Sequence, residues 1–105
     1  MQEVNKENFE QEVLQAQGKI LVDFFGTGCV PCEALMPVLE KLESAYGAKL
    51  RFTKLNTALA RRVAIGQQVM GLPVVAIYEN GKKVEELVKD DCTESNIEAM
   101  IKKHI

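Results

Sequence analysis

The chain has no tryptophan, one histidine, three prolines and three cysteines among its 105 residues, and most of these scarcities exclude something. Without tryptophan, a redox change has no tryptophan fluorescence to report it. Three cysteines cannot all pair within one molecule, so at least one thiol stays free and a disulfide-stapled scaffold is not indicated. A structural zinc site normally needs four ligands. Beyond Cys29 and Cys32 only Cys92 and His104 are available to complete one, and neither stands at zinc-finger spacing. No apolar run approaches the roughly 18 residues of a membrane span, so a soluble chain with no membrane partner is expected. The net charge of -2 mixes both signs along the chain, and with no basic stripe no nucleic-acid partner is expected. The opening residues Met1-Gln2-Glu3-Val4-Asn5-Lys6-Glu7 are polar where an export signal is apolar, so the cytoplasm is the expected compartment.

What is present fits one ordinary domain over residues 1–105, with monomer as the default state. Apolar residues make up 47% and charged residues 27%, close to soluble averages, and the length supports one core but not two. No repeat, linker or low-complexity stretch divides the chain.

Asn8 with Gln11 three residues on has the form of a helix N-cap and its reciprocal partner, with Phe9, Val13 and Leu14 as the apolar side and Gly18 as the stop. Ile20-Leu21-Val22-Asp23-Phe24-Phe25 reads as a strand covered on both faces, interrupted only by Asp23. After Gly26-Thr27-Gly28, the spacing of Leu35, Val38, Leu39, Leu42 and Tyr46 predicts a long amphipathic helix kinked at Pro37. A strand over Lys49–Leu55 and a short helix carrying Leu59, Val63 and Ala64 follow. Val74–Tyr78 and Lys83–Val88 flank Asn80-Gly81 as a hairpin. Thr93 or Ser95 caps a last helix whose buried stripe is Ile97, Met100, Ile101 and Ile105, and a short strand near Val4 is allowed. Strands interleaved with helices and closing in a hairpin imply an α/β fold with a mixed central sheet sandwiched between helices.

Cys29-Val30-Pro31-Cys32 carries the chemistry. Cys29 falls between a buried strand and a helix start, where unpaired N–H groups and the helix dipole favour a thiolate, the form that attacks disulfides. Two intervening residues bring Cys32 around one turn, within reach of Cys29, so that it can displace a client and close an internal disulfide. Pro31 lacks an N–H and holds a helical φ, which suits a first turn. A carboxyl buried in the preceding strand tends to keep its proton, so Asp23 is a candidate proton shuttle to Cys32; the competing reading is a strand-edge Asp facing solvent. Cys92 is more often an ordinary free thiol than a third redox group. His104 reads as a solvated terminal residue, and Met36, Met70 and Met100 as packing residues.

The strand Ile20–Phe25, the Cys29-Val30-Pro31-Cys32 pair, Pro37, Lys54-Leu55-Asn56, Gly71-Leu72-Pro73 and Asn80-Gly81 together resemble the thioredoxin family over essentially the whole chain. The resemblance implies the thioredoxin fold and protein-disulfide reduction without a cofactor or metal. It also implies re-reduction by a thioredoxin reductase and disulfide-containing client proteins as partners. Pro73 would be a cis-proline against the cysteine pair, Leu72 would offer its backbone to an extended client, and Lys54 would lie near Asp23. The family motif usually reads Trp-Cys-Gly-Pro-Cys; here Gly28 and Val30 replace the tryptophan and glycine, so Gly28, Val30, Met70, Gly71 and Leu72 are expected to frame a more apolar docking groove. Lys89-Asp90-Asp91-Cys92 stands where the family commonly has a glycine after the last strand. Gly-Cys-Val-Pro-Cys is similar to the motif of thioredoxins from amino-acid-fermenting anaerobes, which points to a selenoprotein reductase as a client. A disulfide donor, a zinc module and a non-catalytic structural subunit are the competing readings. The absent export signal opposes the first, the missing ligands the second and retention of both cysteines the third.

Overall fold

The computed structural model describes residues 1–105. Five strands, β1 (Gln2–Val4), β2 (Lys19–Phe25), β3 (Arg51–Asn56), β4 (Val74–Glu79) and β5 (Lys82–Val88), form one sheet in the order β1-β3-β2-β4-β5. β3 runs parallel to both β1 and β2, whereas β4 is antiparallel to β2 and to β5. The helices are α1 (Val30–Tyr46), α2 (Arg61–Gly66) and α3 (Glu94–His104), with a short wide-wound segment at Glu10–Leu14 and a single 3-10 turn at Lys89–Asp91.

Period-two alternation on the central strands divides the core in two. Leu21, Phe52, Val75 and Ile77 face Leu35, Leu39 and Leu42 of α1 and Ile97, Met100 and Ile101 of α3. Val22, Phe24, Leu55 and Tyr78 face the other way, toward Phe9, Val13, Ala60 and Ala64. The expected α/β sandwich is present, and β2 is buried from Ile20 to Phe24 because it is central in the sheet and covered on both faces. α1 runs unbroken through Pro37, as one helix.

Several local expectations fail for identifiable reasons. The first cap is Asn5, not Asn8: Asn5 Oδ1 accepts from the N–H groups of Glu7 and Asn8, and Asn8 Oδ1 accepts from Asn5 N–H. Asn8 is thus the inner partner of a reciprocal pair begun one turn earlier. Gly18 lies beyond the end of that segment at φ 88° and exchanges hydrogen bonds with Asn80. Leu59 is exposed in the turn before α2, whose buried contribution comes from Ala60 and Ala64. Ile105 ends α3 exposed, because the helix runs past the edge of the core. His104, expected in solvent, packs half-buried with Nε2 2.8 Å from Glu85. Thr93 rather than Ser95 caps α3, its hydroxyl accepting from Asn96 N–H.

Asn80 and Gly81 both have positive φ, at 52° and 85°, the two-residue hairpin geometry that their types favour. A Cβ on Gly81 would collide with the carbonyl oxygen of Leu14. Gly81→Ala therefore combines backbone strain with a backbone clash and is expected to cost about 2–3 kcal/mol, read as a lower urea midpoint at unchanged slope.

Candidate active site

The C-terminal end of β2 delivers Gly26, Thr27 and Gly28 into a turn, with Gly28 at φ 74°, and Cys29 then occupies the N-cap of α1. Its extended backbone (φ -86°, ψ 103°) starts the helix, Glu33 N–H bonding back to Cys29 O at 3.1 Å. A helix start leaves N–H groups without intrahelical partners, and one of them, Cys32 N–H, donates to Cys29 Sγ at 3.3 Å. Pro31 lies within the first turn, where its missing donor costs nothing. Cys29 and Cys32 are joined as a disulfide with Cα atoms 5.2 Å apart. The two cysteines are not equivalent: Cys29 is half-buried, whereas Cys32 is 1% exposed, so an attacker or client in solvent meets Cys29 first.

Asp23 sits on the α1 face of β2, opposite Lys54 in the parallel register with β3 and opposite Val75 in the antiparallel register with β4. It is 0% exposed and neither carboxylate oxygen has a hydrogen-bond partner; the solvent-facing reading is therefore excluded. Thr53, the other buried polar residue, is by contrast satisfied through Leu21 O. Burial pushes the Asp23 carboxyl from 3.8 up to about 7, and the Lys54 ammonium opposes only part of that rise. Lys54 Nζ also stands 5.9 Å from the Phe25 ring centroid and lines, with Cys32, Glu33 and Met36, a depression of about 360 Å³.

The Leu72–Pro73 peptide is cis, as the resemblance implied, and Pro73 is buried. Pro73 O accepts from Lys89 N–H at 2.8 Å and from the Cys92 thiol at 3.5 Å. Cys92 also donates toward Leu87 O at 3.3 Å, and burial pushes it up to about 11, so it is a protonated thiol at neutral pH. The N–H and C=O of Leu72 make no backbone hydrogen bond within the chain.

The expected docking residues are spread over adjoining depressions. Met70 and Leu72 line a depression of about 370 Å³ with Gly26, Thr57, Arg61 and Ile65. Gly28 instead belongs to the depression beside Cys32 and Lys54, and Val30 stands free on the first turn of α1, 72% exposed. Met70 is not a packing residue: it is 92% exposed. Gly71 is overlain by the Lys89 side chain. Sequence reading missed Thr57 and Arg61, which carry no motif and reach the site only because α2 and the turn before it pack beside β2.

A half-exposed cysteine capping a helix, its buried disulfide partner one turn on and a cis-proline nearby can together exchange a disulfide with an extended peptide. The thioredoxin family model matches residues 1–103. The chain belongs to the thioredoxin family. It is 54% identical to the thioredoxin of Acetoanaerobium sticklandii across the full length of both chains, and 53% identical to that of Peptoclostridium acidaminophilum over 98% of this chain and 94% of the other. Thioredoxin 1 of a Nostoc species is 33% identical over 82% of this chain and 80% of its own. The protein is accordingly a thioredoxin-type thiol–disulfide oxidoreductase, and no helix in it is long and apolar enough to cross a membrane.

The buried Asp23 makes stability pH-dependent. Its folded value lies above the unfolded one, so the folded state binds the extra proton between pH 3.8 and about 7, and stability falls as pH rises through that window. Asp23→Asn is expected to leave stability at pH 4 little changed and to raise it by about 2–4 kcal/mol at pH 8, measured by urea unfolding across pH.

Proposed function

We propose that this thioredoxin, acting as one domain over residues 1–105 and as a cytoplasmic monomer, reduces client disulfides with Cys29 as nucleophile and Cys32 as resolving thiol. The observation that carries this division of labour is that Cys29 is only partly buried while Cys32 is buried and donates its N–H to the Cys29 sulfur. The Cys29 thiolate attacks one client sulfur, the client S–S bond breaks, and the other client sulfur leaves as a thiolate. Cys32 then attacks Cys29 Sγ, closing the internal disulfide and releasing the first client sulfur; two electrons have passed to the client. A thioredoxin reductase returns two electrons and restores the dithiol.

Asp23 is the group that takes the proton from Cys32 as it becomes nucleophilic. Its carboxyl, held near pH 7 on the α1 face of the sheet, can change protonation state in the working range, as a general base must. Pro31 stiffens the ring between the cysteines. Pro73 and the unpaired main chain of Leu72 receive the client as an added strand, with Gly28, Val30, Met70 and Gly71 around it. The apolar Val30 and Met70 suit a specialised client, and a selenoprotein reductase is the proposed one.

Cys32→Ser should trap a mixed disulfide between Cys29 and a peptide disulfide, resolved by dithiothreitol, whereas Cys29→Ser should trap none and both should lose turnover. A covalent adduct on Cys29→Ser through Cys32 would overturn the assignment of roles. Turnover coupled to a selenoprotein reductase should exceed that of a thioredoxin carrying the Trp-Cys-Gly-Pro-Cys motif; equal rates would remove the specialised client.

A further inference from the structure

Lys89 departs from its surroundings in three independent ways. Its φ is 54°, a left-handed conformation that glycine adopts freely and lysine does not. Its side chain folds back over Gly71: a Cβ built on that glycine would collide with Lys89 Cε and lie 3.2 Å from Nζ. Its ammonium has no ion-pair partner, although Asp90 and Asp91 follow it in sequence. An outlier backbone that lays an unpaired charge beside an active site points to function rather than packing.

The position decides which function. Lys89 lines a groove of about 320 Å³ together with Pro31, Pro73, Asp90, Cys92 and Glu94; Glu94 is paired with Lys41 at 2.7 Å, and Asp90, next to Lys89 in the chain, is the one carboxylate of the groove without an ion pair. Across the Met70–Leu72 segment, Arg61 lines the neighbouring groove with Met70 and Leu72, also without an ion pair. The main chain left open at Leu72 therefore runs between two exposed, unpaired cations. The Gly71 surface, free of a side chain of its own, carries the ammonium that a passing client would meet.

We propose that Lys89, assisted by Arg61, is a specificity-determining residue that selects client segments with carboxylate side chains flanking the cysteine under attack. The inference rests on Leu72 and Pro73 receiving the client, as proposed above, and adds the charge class of that client. Exposed charge pairs contribute modestly each, and they act mainly on encounter and are screened by salt. The effect belongs in kcat/KM at low ionic strength.

The test uses two disulfide-linked peptide dimers identical except for Glu-Cys-Glu or Lys-Cys-Lys at the bridge. Flanking charge also alters intrinsic disulfide reactivity, so each kcat/KM is divided by the rate constant for dithiothreitol on the same peptide. The wild-type protein should then favour the acidic peptide by roughly three- to tenfold at low salt, and the preference should shrink in high salt. Lys89→Gln should bring the ratio toward one and Lys89→Glu should invert it, while Lys49→Gln, in the turn that follows α1, should keep the wild-type ratio. Lys89→Gly, which relieves the backbone, serves as the uncharged variant if Lys89→Gln does not fold. A wild-type ratio of one, or an unchanged ratio in Lys89→Gln and Lys89→Glu, overturns the selectivity while leaving the reductase intact. Reduction of neither peptide overturns the docking reading itself, and the selectivity with it.

Discussion

Strand β2 is bonded along one edge to β3 and along the other to β4, and its side chains from Ile20 to Phe24 are shut away from water. Everything at the active site is referenced to that strand. Its end launches the turn that places Cys29 at the start of α1, β4 begins beside it just after Pro73, and α2 packs against its other face. Apolar burial on both sides, at about 25 cal/mol per Å², holds the strand in one register, and a slip by one residue would exchange its two faces. The local order around the cysteines therefore comes from the most densely buried part of the molecule rather than from the loop that carries them.

Within that buried strand Asp23 is an electrostatic cost retained in the core. No hydrogen bond compensates it, and Lys54 offsets only part of the desolvation, so its proton is held far more tightly than an exposed carboxylate would hold one. At the other side of the pair, the start of α1 favours negative charge on Cys29. Two opposite devices thus act on neighbouring elements: one favours an anion near the surface, the other opposes an anion in the interior. Cys92 shows the contrast, since burial pushes its thiol away from ionisation and a backbone hydrogen bond from Val75 opposes only part of that rise.

The surface around the disulfide is where this chain departs most from its family's usual pattern. Gly28 and Val30 remove an aromatic and add a branched aliphatic side chain, and Met70 is almost wholly in solvent. Lys89 occupies a left-handed backbone position over Gly71. None of these changes touches the buried scaffold, so client preference can vary while disulfide exchange is maintained.

Periodicity and short-range chemistry determined the strands, the helices, the hairpin at Asn80-Gly81 and the identity of the reactive pair, because burial on one or two faces imposes its repeat on the residues and a two-residue spacer closes one helical turn. They also marked Asp23 as anomalous, but an apolar run with one carboxylate does not say which way that carboxylate points. The face was decided by the pairing of β2 with β3 and β4. The exposure of Leu59, Ile105 and Met70 and the contact of His104 with Glu85 were likewise decided by where each element ends against its neighbours, whereas the cap at Asn5 is a local exchange with Asn8. The spread of the expected docking residues over adjoining depressions and the lysine laid over Gly71 depend on contacts between segments far apart in sequence, and on a φ sign that residue type alone does not set. Local interactions act between near neighbours and leave a readable pattern; the shape and charge of a surface arise from distant segments meeting, and only the folded chain brings those together.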